Sequence, residues 1–297
     1  MSIKNVIICG LGALGITYAV KLKDVCNLKI LADTSRINKY KKNTPIFNNE
    51  LIDLNYITPQ DSFDADLIII ATKSTGLNSA IEYIKNFITP NTIIISLLNG
   101  ISSEDKIKKT YPNSKVFRSF FIGHSAIGEI NEDSVRQYSQ DGVGKIVFEP
   151  TEELENFFSK NNINFEVSNN IIQSQWIKLG VNVILNQLSA INKCTVGELR
   201  AKNGYPDLAK NLLIEVDNIA KAQNIEIENF TEKVLEATAL VADDGLTSMY
   251  QDVISKKKTE VDIFSGEIIQ LGKIYGIKTP YNEEIYSKIK LLERDFS

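Results

Sequence analysis

One histidine, His124, stands in 297 residues, and the three cysteines, Cys9, Cys26 and Cys194, have neither metal-ligand nor C-x-x-C spacing. A single imidazole cannot build a His-rich metal site, and a Ser-His-Asp triad could form only through His124 itself. The odd, dispersed cysteines read as reduced thiols of a cytoplasmic protein, with Cys9 in the core. A basic surplus is missing too. With 33 Lys and Arg against 37 Asp and Glu, the net charge is −4 and the pI near 5.3. That excludes the broad cationic surface that nucleic acid or an anionic membrane requires. The best basic run, Lys256 to Lys258, is short and reads as a solvated helix face. Apolar runs such as Leu67 to Ala71 and Ile93 to Leu98 are strand-length, short of the roughly 18 residues of a bilayer span. The opening Met-Ser-Ile-Lys-Asn enters an apolar strand at once, which leaves no room for a signal peptide. The expectation is a protein with no metal, nucleic-acid or membrane partner.

What is present begins at once. Val6 to Cys9 is an apolar strand running into Gly10-Leu11-Gly12-Ala13-Leu14-Gly15, a G-x-G-x-x-G turn that opens a helical pattern. Such a turn brings backbone against a dinucleotide pyrophosphate: Gly10 permits the tight turn, Gly12 admits the phosphates, and Gly15 lets the helix pack on the strand. Unpaired amides and the positive end of the macrodipole then face the anion. A second strand, Leu28 to Ala32, ends at Asp33, roughly 20 residues on, where a carboxylate accepts the ribose hydroxyls of NAD. Arg36, one helical turn later, could instead hold the 2′-phosphate of NADP.

The length suits two domains. Strands alternate with helical patterns up to about residue 168, the form of a Rossmann-type, doubly wound parallel sheet. Pro45 to Thr58 reads as a hairpin turning at Asn48-Asn49. Buried strands follow at Leu67 to Ala71, Thr92 to Leu98 and Lys115 to Phe120. Val135 to Tyr138 and Lys145 to Glu149 look like an antiparallel addition, and a helix from Glu152 with a strand at Asn164 to Val167 closes the sheet. Beyond it only helical periodicity remains. The fold class is therefore α/β, with a dinucleotide-binding domain over 1–168 and an all-α substrate domain over 169–297. Apolar helix faces could pack on the chain's own core or on a second copy, so a homodimer stays open.

Ligands of open parallel sheets bind beyond the C-terminal strand ends. Lys73 and Asn99-Gly100 follow two such strands, at the same edge as the glycine turn. Each could be a plain surface or turn residue; together they favour a cleft. In the helical half, Lys178, Asn182 and Asn186 recur in steps of four, on one helix face with a drift of about 40° per step. Their neighbours Trp176, Leu179, Val183, Ile184 and Leu185 are apolar, so the helix is buried and these polar groups need partners or a polar cavity. A surface stripe is the alternative. A desolvated lysine suits proton donation to a developing alkoxide. Ser248, Asp252 and Glu260 are, by pattern alone, ordinary polar helix residues.

Gly10 to Gly15, Thr72-Lys73, Leu98-Asn99-Gly100, His124-Ser125-Ala126, Trp176 to Asn182, Asn186 to Ile191, Gly197 to Arg200, Ser248 to Asp252 and Thr259 to Gly266 resemble, in that order, the ketopantoate reductase (2-dehydropantoate 2-reductase) family. The resemblance spans nearly the whole chain, and its last five segments lie outside the nucleotide fold. It implies hydride transfer from a reduced nicotinamide to the ketone of ketopantoate, a small 2-oxo acid, giving D-pantoate for pantothenate and coenzyme A. It implies Lys178 as proton donor, Asn182 and Asn186 at the substrate hydroxyl, Ser248 near its carboxylate, and Glu260 ordering substrate hydroxyls and cofactor. Lys73 and Asn99 would line the cofactor and reacting carbonyl, Ala126 would touch the cofactor through its backbone, and His124 would shape that loop. Substrate would sit in an interdomain cleft whose closure brings Lys178 to the nicotinamide. The resemblance implies NADP(H), whereas Asp33 opens the way to NAD(H). Gln187 stands where members of the family commonly carry proline, and Val196 where some members carry a further substrate asparagine. Two other readings compete: a reductase of another 2-oxo acid, and a non-catalytic NAD(P)H-binding sensor.

Overall fold

The computed structural model describes residues 2–123, 126–130, 136–140 and 144–296. His124 and Ser125, singled out above, lie outside the described residues. The chain divides into two compact units, Met1–Ile171 and Ile172–Ser297.

The first unit is built on β1 (Asn5–Cys9), α1 (Ala13–Leu22), β2 (Asn27–Leu31) and α2 (Thr34–Lys42). A short hairpin follows, β3 (Ile46–Phe47) and β4 (Glu50–Leu51), with Asn48 and Asn49 both at positive φ, as a two-residue hairpin turn requires. Then come β5 (Tyr56–Ile57), β6 (Leu67–Ile70), α3 (Leu77–Tyr83), β7 (Ile93–Ser96), α4 (Ser103–Thr110) and β8 (Lys115–Phe117). Six strands form one parallel sheet in the order β5-β2-β1-β6-β7-β8. Its strands read as unbroken apolar runs because both faces are covered. Val6, Ile8, Ile30, Leu67 and Ile69 enter one core, and Ile7, Cys9, Leu31, Ile68 and Ile70 enter another on the opposite face. Burial pushes the Cys9 thiol up to about 12.

The later strands depart from expectation. Lys115 to Phe120 is not one strand: β8 stops at Phe117, and β9 (Ser119–Ile122) joins another sheet. The break is at Arg118, whose amide donates to the Glu149 carboxylate at 2.6 Å, while the Ser119 amide donates to buried Glu104 at 3.0 Å. Carboxylates thus take the donors that would have continued the ladder. A strand not expected from the sequence, β10 (Ala126–Ile130), pairs antiparallel with β11 (Arg136–Gln140), which lies beside β3. Strand β12 (Lys145–Phe148) pairs with β9 and with β13 (Phe165–Val167), which follows α5 (Glu152–Lys160). The antiparallel addition is therefore two small sheets, and β13 does not close the parallel one.

The second unit is helical among its described residues. From α6 (Ile171–Val181) the chain runs through a turn of π-helix (Asn182–Asn186) into α7 (Gln187–Asn192), α8 (Val196–Arg200), α9 (Tyr205–Ala222) and α10 (Phe230–Ala239). It ends with α11 (Ser248–Ile254), α12 (Ser265–Tyr275) and α13 (Pro280–Arg294). Gly180 permits close helix packing, since a Cβ there would lie 2.8 Å from Val234. Buried Glu215 on α9 caps α13, accepting the amides of Tyr281 and Asn282 at 2.9 Å and the Asn282 side-chain amide at 2.7 Å. Glu215→Ala would strand three donors, two of them buried. It is expected to cost about 3 kcal/mol, read as a lowered urea midpoint by far-UV circular dichroism.

Candidate active site

The glycine turn is fixed by contacts that only hydrogen can occupy. Gly10 has φ +102°, and a Cβ on it would sit 2.8 Å from the backbone of Ala71 at the end of β6. A Cβ on Gly15 would fall 1.9 Å from the Gly10 carbonyl oxygen. Gly12 differs, since nothing lies within 4 Å of its notional Cβ. It is the N-cap of α1 and offers no side chain to the helix amides. The turn is thus closed beneath and open above, with the N-terminal amides of a helix facing the open side. That is the fit a dinucleotide pyrophosphate needs.

Beside the turn, Gly10, Leu11, Ala32, Asp33, Arg36 and Tyr40 line a cavity at the C-terminal ends of the strands, together with Thr72. The structure brings the glycine turn, Asp33 and Arg36 together here. Asp33 is the N-cap of α2: one carboxylate oxygen accepts the Arg36 amide at 2.8 Å and the other lies 3.6 Å from the Arg36 guanidinium. Among the described residues the second oxygen is held by a largely exposed ion pair, a weak competitor for a ligand hydroxyl. Lys73 is exposed at the end of β6, and Asn99 is half-buried beyond β7, next to Gly100 at φ +90°. Neither lines that cavity. Ala126 begins β10, its backbone paired with Gln140.

Three residues here had no role assigned from the sequence. Thr72, quoted above only as a neighbour of Lys73 in the resemblance, carries a buried hydroxyl with no hydrogen-bond partner among the described residues. Tyr40 needs the fold to reach the cavity. Tyr138, on β11, donates its hydroxyl to the Leu11 carbonyl inside the glycine turn at 3.1 Å. Its ring has room because position 128 on β10 is glycine, where a Cβ would lie 2.6 Å from the ring. No local pattern signals a contact so distant in sequence.

In the helical unit, Lys178 is half-buried on α6, and Asn182 and Asn186 are buried within the π turn. The unbroken α-helix expected from the steps of four is therefore interrupted at its polar residues. A π turn adds a residue to the helical turn and recurs at functional sites. Here the Asn186 side-chain amide, Nδ2, donates to the Asn182 carboxamide oxygen at 2.9 Å. The Asn182 carboxamide nitrogen is buried without a hydrogen-bond partner among the described residues. Its acceptor is spent on Asn186, so it presents donors, and whatever it binds must be an acceptor. Ser189 on α7 donates to the Asn186 carbonyl at 3.2 Å and shares a 2.7 Å hydrogen bond with Thr247, the N-cap of α11. Exposed Ser248 is the first residue of that helix. Glu260 is half-buried and precedes a 3₁₀ turn rather than opening an α-helix. Its neighbour Thr259 is anchored through amide and hydroxyl to Glu293 on α13, at 2.8 and 2.6 Å.

Residues 6–160 match the family described as Ketopantoate reductase PanE/ApbA, and residues 170–293 match its C-terminal domain. The chain belongs to the ketopantoate reductase family. A 2-dehydropantoate 2-reductase of Streptococcus pyogenes serotype M18 is 27% identical over 296 residues, spanning 93% of this chain and 94% of its own. One from Vibrio cholerae serotype O1 is 26% identical and spans 99% of both. In fold, this ketopantoate reductase family member is similar to D-mandelate dehydrogenase solved with NADH and anilino(oxo)acetate. The TM-score is 0.85 at 23% identity, covering 98% of this chain and 99% of that one.

The two glycines should separate in experiment. Gly12→Ala is expected to weaken NAD(P)H binding roughly tenfold or more while leaving thermal stability unchanged, because its methyl group meets only the ligand. Gly15→Ala should lower both, since its methyl group meets the Gly10 carbonyl. Fluorescence titration and a melting curve on each variant check this.

Proposed function

We propose that this chain is a 2-dehydropantoate 2-reductase of the cytoplasm, reducing the ketone of ketopantoate to the D-pantoate alcohol. The observation that carries this reading is the Asn182 side-chain amide, buried and without a partner among the described residues, one helical turn from Lys178. A hydroxyl of the substrate would answer it: its oxygen accepts from Asn182 while its proton is offered to the remaining carboxamide oxygen of Asn186. An unpaired buried amide costs roughly 1–3 kcal/mol, so such a site rejects analogues that lack the hydroxyl.

When bound, the reduced dinucleotide would supply the hydride that the ketone carbon takes up. Gly10 to Gly15 would cradle its pyrophosphate, with Lys73, Asn99, the Ala126 backbone and Glu260 as further contacts. Lys178 gives the ammonium proton that turns the developing alkoxide into the product hydroxyl. Ser248 binds near the substrate carboxylate, and Asn99 and Glu260 hold its carbonyl and hydroxyl ends. Asp33 reads the ribose hydroxyls and so admits NADH, while Arg36 is the group that would accept the 2′-phosphate of NADPH.

A second reading, reduction of a different 2-oxo acid, rests on Asp33, Gln187 and Val196, where this chain departs from what the resemblance implies. Turnover of ketopantoate against 2-oxoisovalerate, which lacks the hydroxyl, separates the two. Equal turnover would remove the assigned role of the asparagines. Retained NAD(P)H binding with no oxidation on either acid would favour the sensor.

Lys178→Ala is expected to lower kcat by roughly 100-fold or more with dinucleotide affinity nearly unchanged, measured as absorbance loss at 340 nm. An unchanged kcat removes Lys178 from the mechanism. Asp33→Ala should raise the NADPH to NADH ratio of kcat/KM about tenfold. If the ratio does not move, Asp33 is a helix cap only and Arg36 sets the choice.

A further inference from the structure

Gln187 follows the π turn directly and is completely buried. Its carboxamide makes two bonds in opposite directions. Nε2 donates to the Val183 carbonyl inside the π turn at 2.9 Å, and Oε1 accepts the Ser265 amide at 3.2 Å. Ser265 is the first residue of α12, a helix with no side-chain cap, so its amide has no intrahelical acceptor. The network continues inward: Ser265 Oγ donates to Asn282 Oδ1 at 2.8 Å, and Asn282 donates to Glu215. Ser265 and Asn282 are wholly buried and Glu215 nearly so. A polar chain this deep is retained only at the expense of the apolar packing that Leu or Met would give.

What the network does follows from where it ends. A π turn is a strained exception to the α-helical ladder, and its orientation has to be held by something outside the ladder. Gln187 holds one of its carbonyls and ties it to the start of α12. Asn182 and Asn186 lie on the same turn, already bonded to each other. We propose that Gln187 is a positioning residue for substrate, clamping the π turn so that Asn182 and Asn186 present their free amide donor and acceptor in one fixed direction. This rests on the reading that those asparagines contact the substrate. The clamp touches neither substrate nor dinucleotide, and its effect falls on KM for the oxo acid and on discrimination for the hydroxyl.

The test is steady-state kinetics on the full chain with Gln187→Met, which keeps the volume and loses both bonds, and Gln187→Glu, which keeps the acceptor and donates only when protonated. Gln187→Met is expected to raise KM for ketopantoate about tenfold and to lessen the preference over 2-oxoisovalerate, with KM for the dinucleotide unchanged. Gln187→Glu should approach the parent KM as pH falls, relative to the parent at each pH, because the protonated carboxyl recovers the bond to Val183. Parent-like KM and preference in Gln187→Met overturn the proposal. Should that variant not fold by far-UV circular dichroism, a Gln187→Glu KM that tracks the parent's at every pH overturns it. Asn182→Ala runs in parallel. If it raises KM while Gln187→Met does not, the clamp is wrong and the substrate reading stands; if it leaves KM unmoved, the substrate reading falls and the clamp with it.

Discussion

The first unit depends on the absence of one carbon atom. At Gly15 the helix after β1 lies so close to the Gly10 carbonyl that a Cβ would be 1.9 Å from the oxygen. That approach sets the angle at which α1 leaves the sheet and turns its free amides toward the space above Gly12. A wider approach would still permit a parallel sheet, but the helix end would point elsewhere. The cavity lined by Asp33, Arg36 and Tyr40 is then where β1, β2 and β6 end together, as their register requires.

The helical unit meets a different constraint. It presents polar groups from a stretch in which every residue from Asn182 to Ala190 is buried, and it does so by giving up the α-helical ladder for the one turn that carries Asn182 and Asn186. Polar neighbours fill the space around that turn: Gln187 and Ser189 from α7, Thr247 before α11, and Ser265 on α12. The unit is held by a connected set of buried hydrogen bonds as well as by apolar packing, so small changes in side-chain length there are felt as changes in direction.

Much of this was legible in the sequence, for a physical reason. The parallel strands show as continuous apolar runs because both faces are covered. The glycine turn is local, and Asp33 stands at a fixed distance from it. Lys178, Asn182 and Asn186 showed as a polar row on an apolar helix. What could not be read depended on partners far along the chain. The splitting of the strand at Arg118 is decided by Glu104 and Glu149, and the hairpin of β10 and β11 takes its place from β3. The π turn leaves no mark on residue spacing, because a step of four looks the same in a sequence whether the ladder is regular or not.

The bond from Tyr138 to the Leu11 carbonyl joins residues 127 apart. Closing so long a loop is entropically costly and comes late relative to local pairing. During synthesis the strand and helix around the glycine turn can pair with β2 as soon as they emerge, but the turn cannot acquire this bond until the chain has grown past β11. The phosphate cradle is thus begun by β1 and α1 and finished only when the 127 residues that separate Leu11 from Tyr138 have followed.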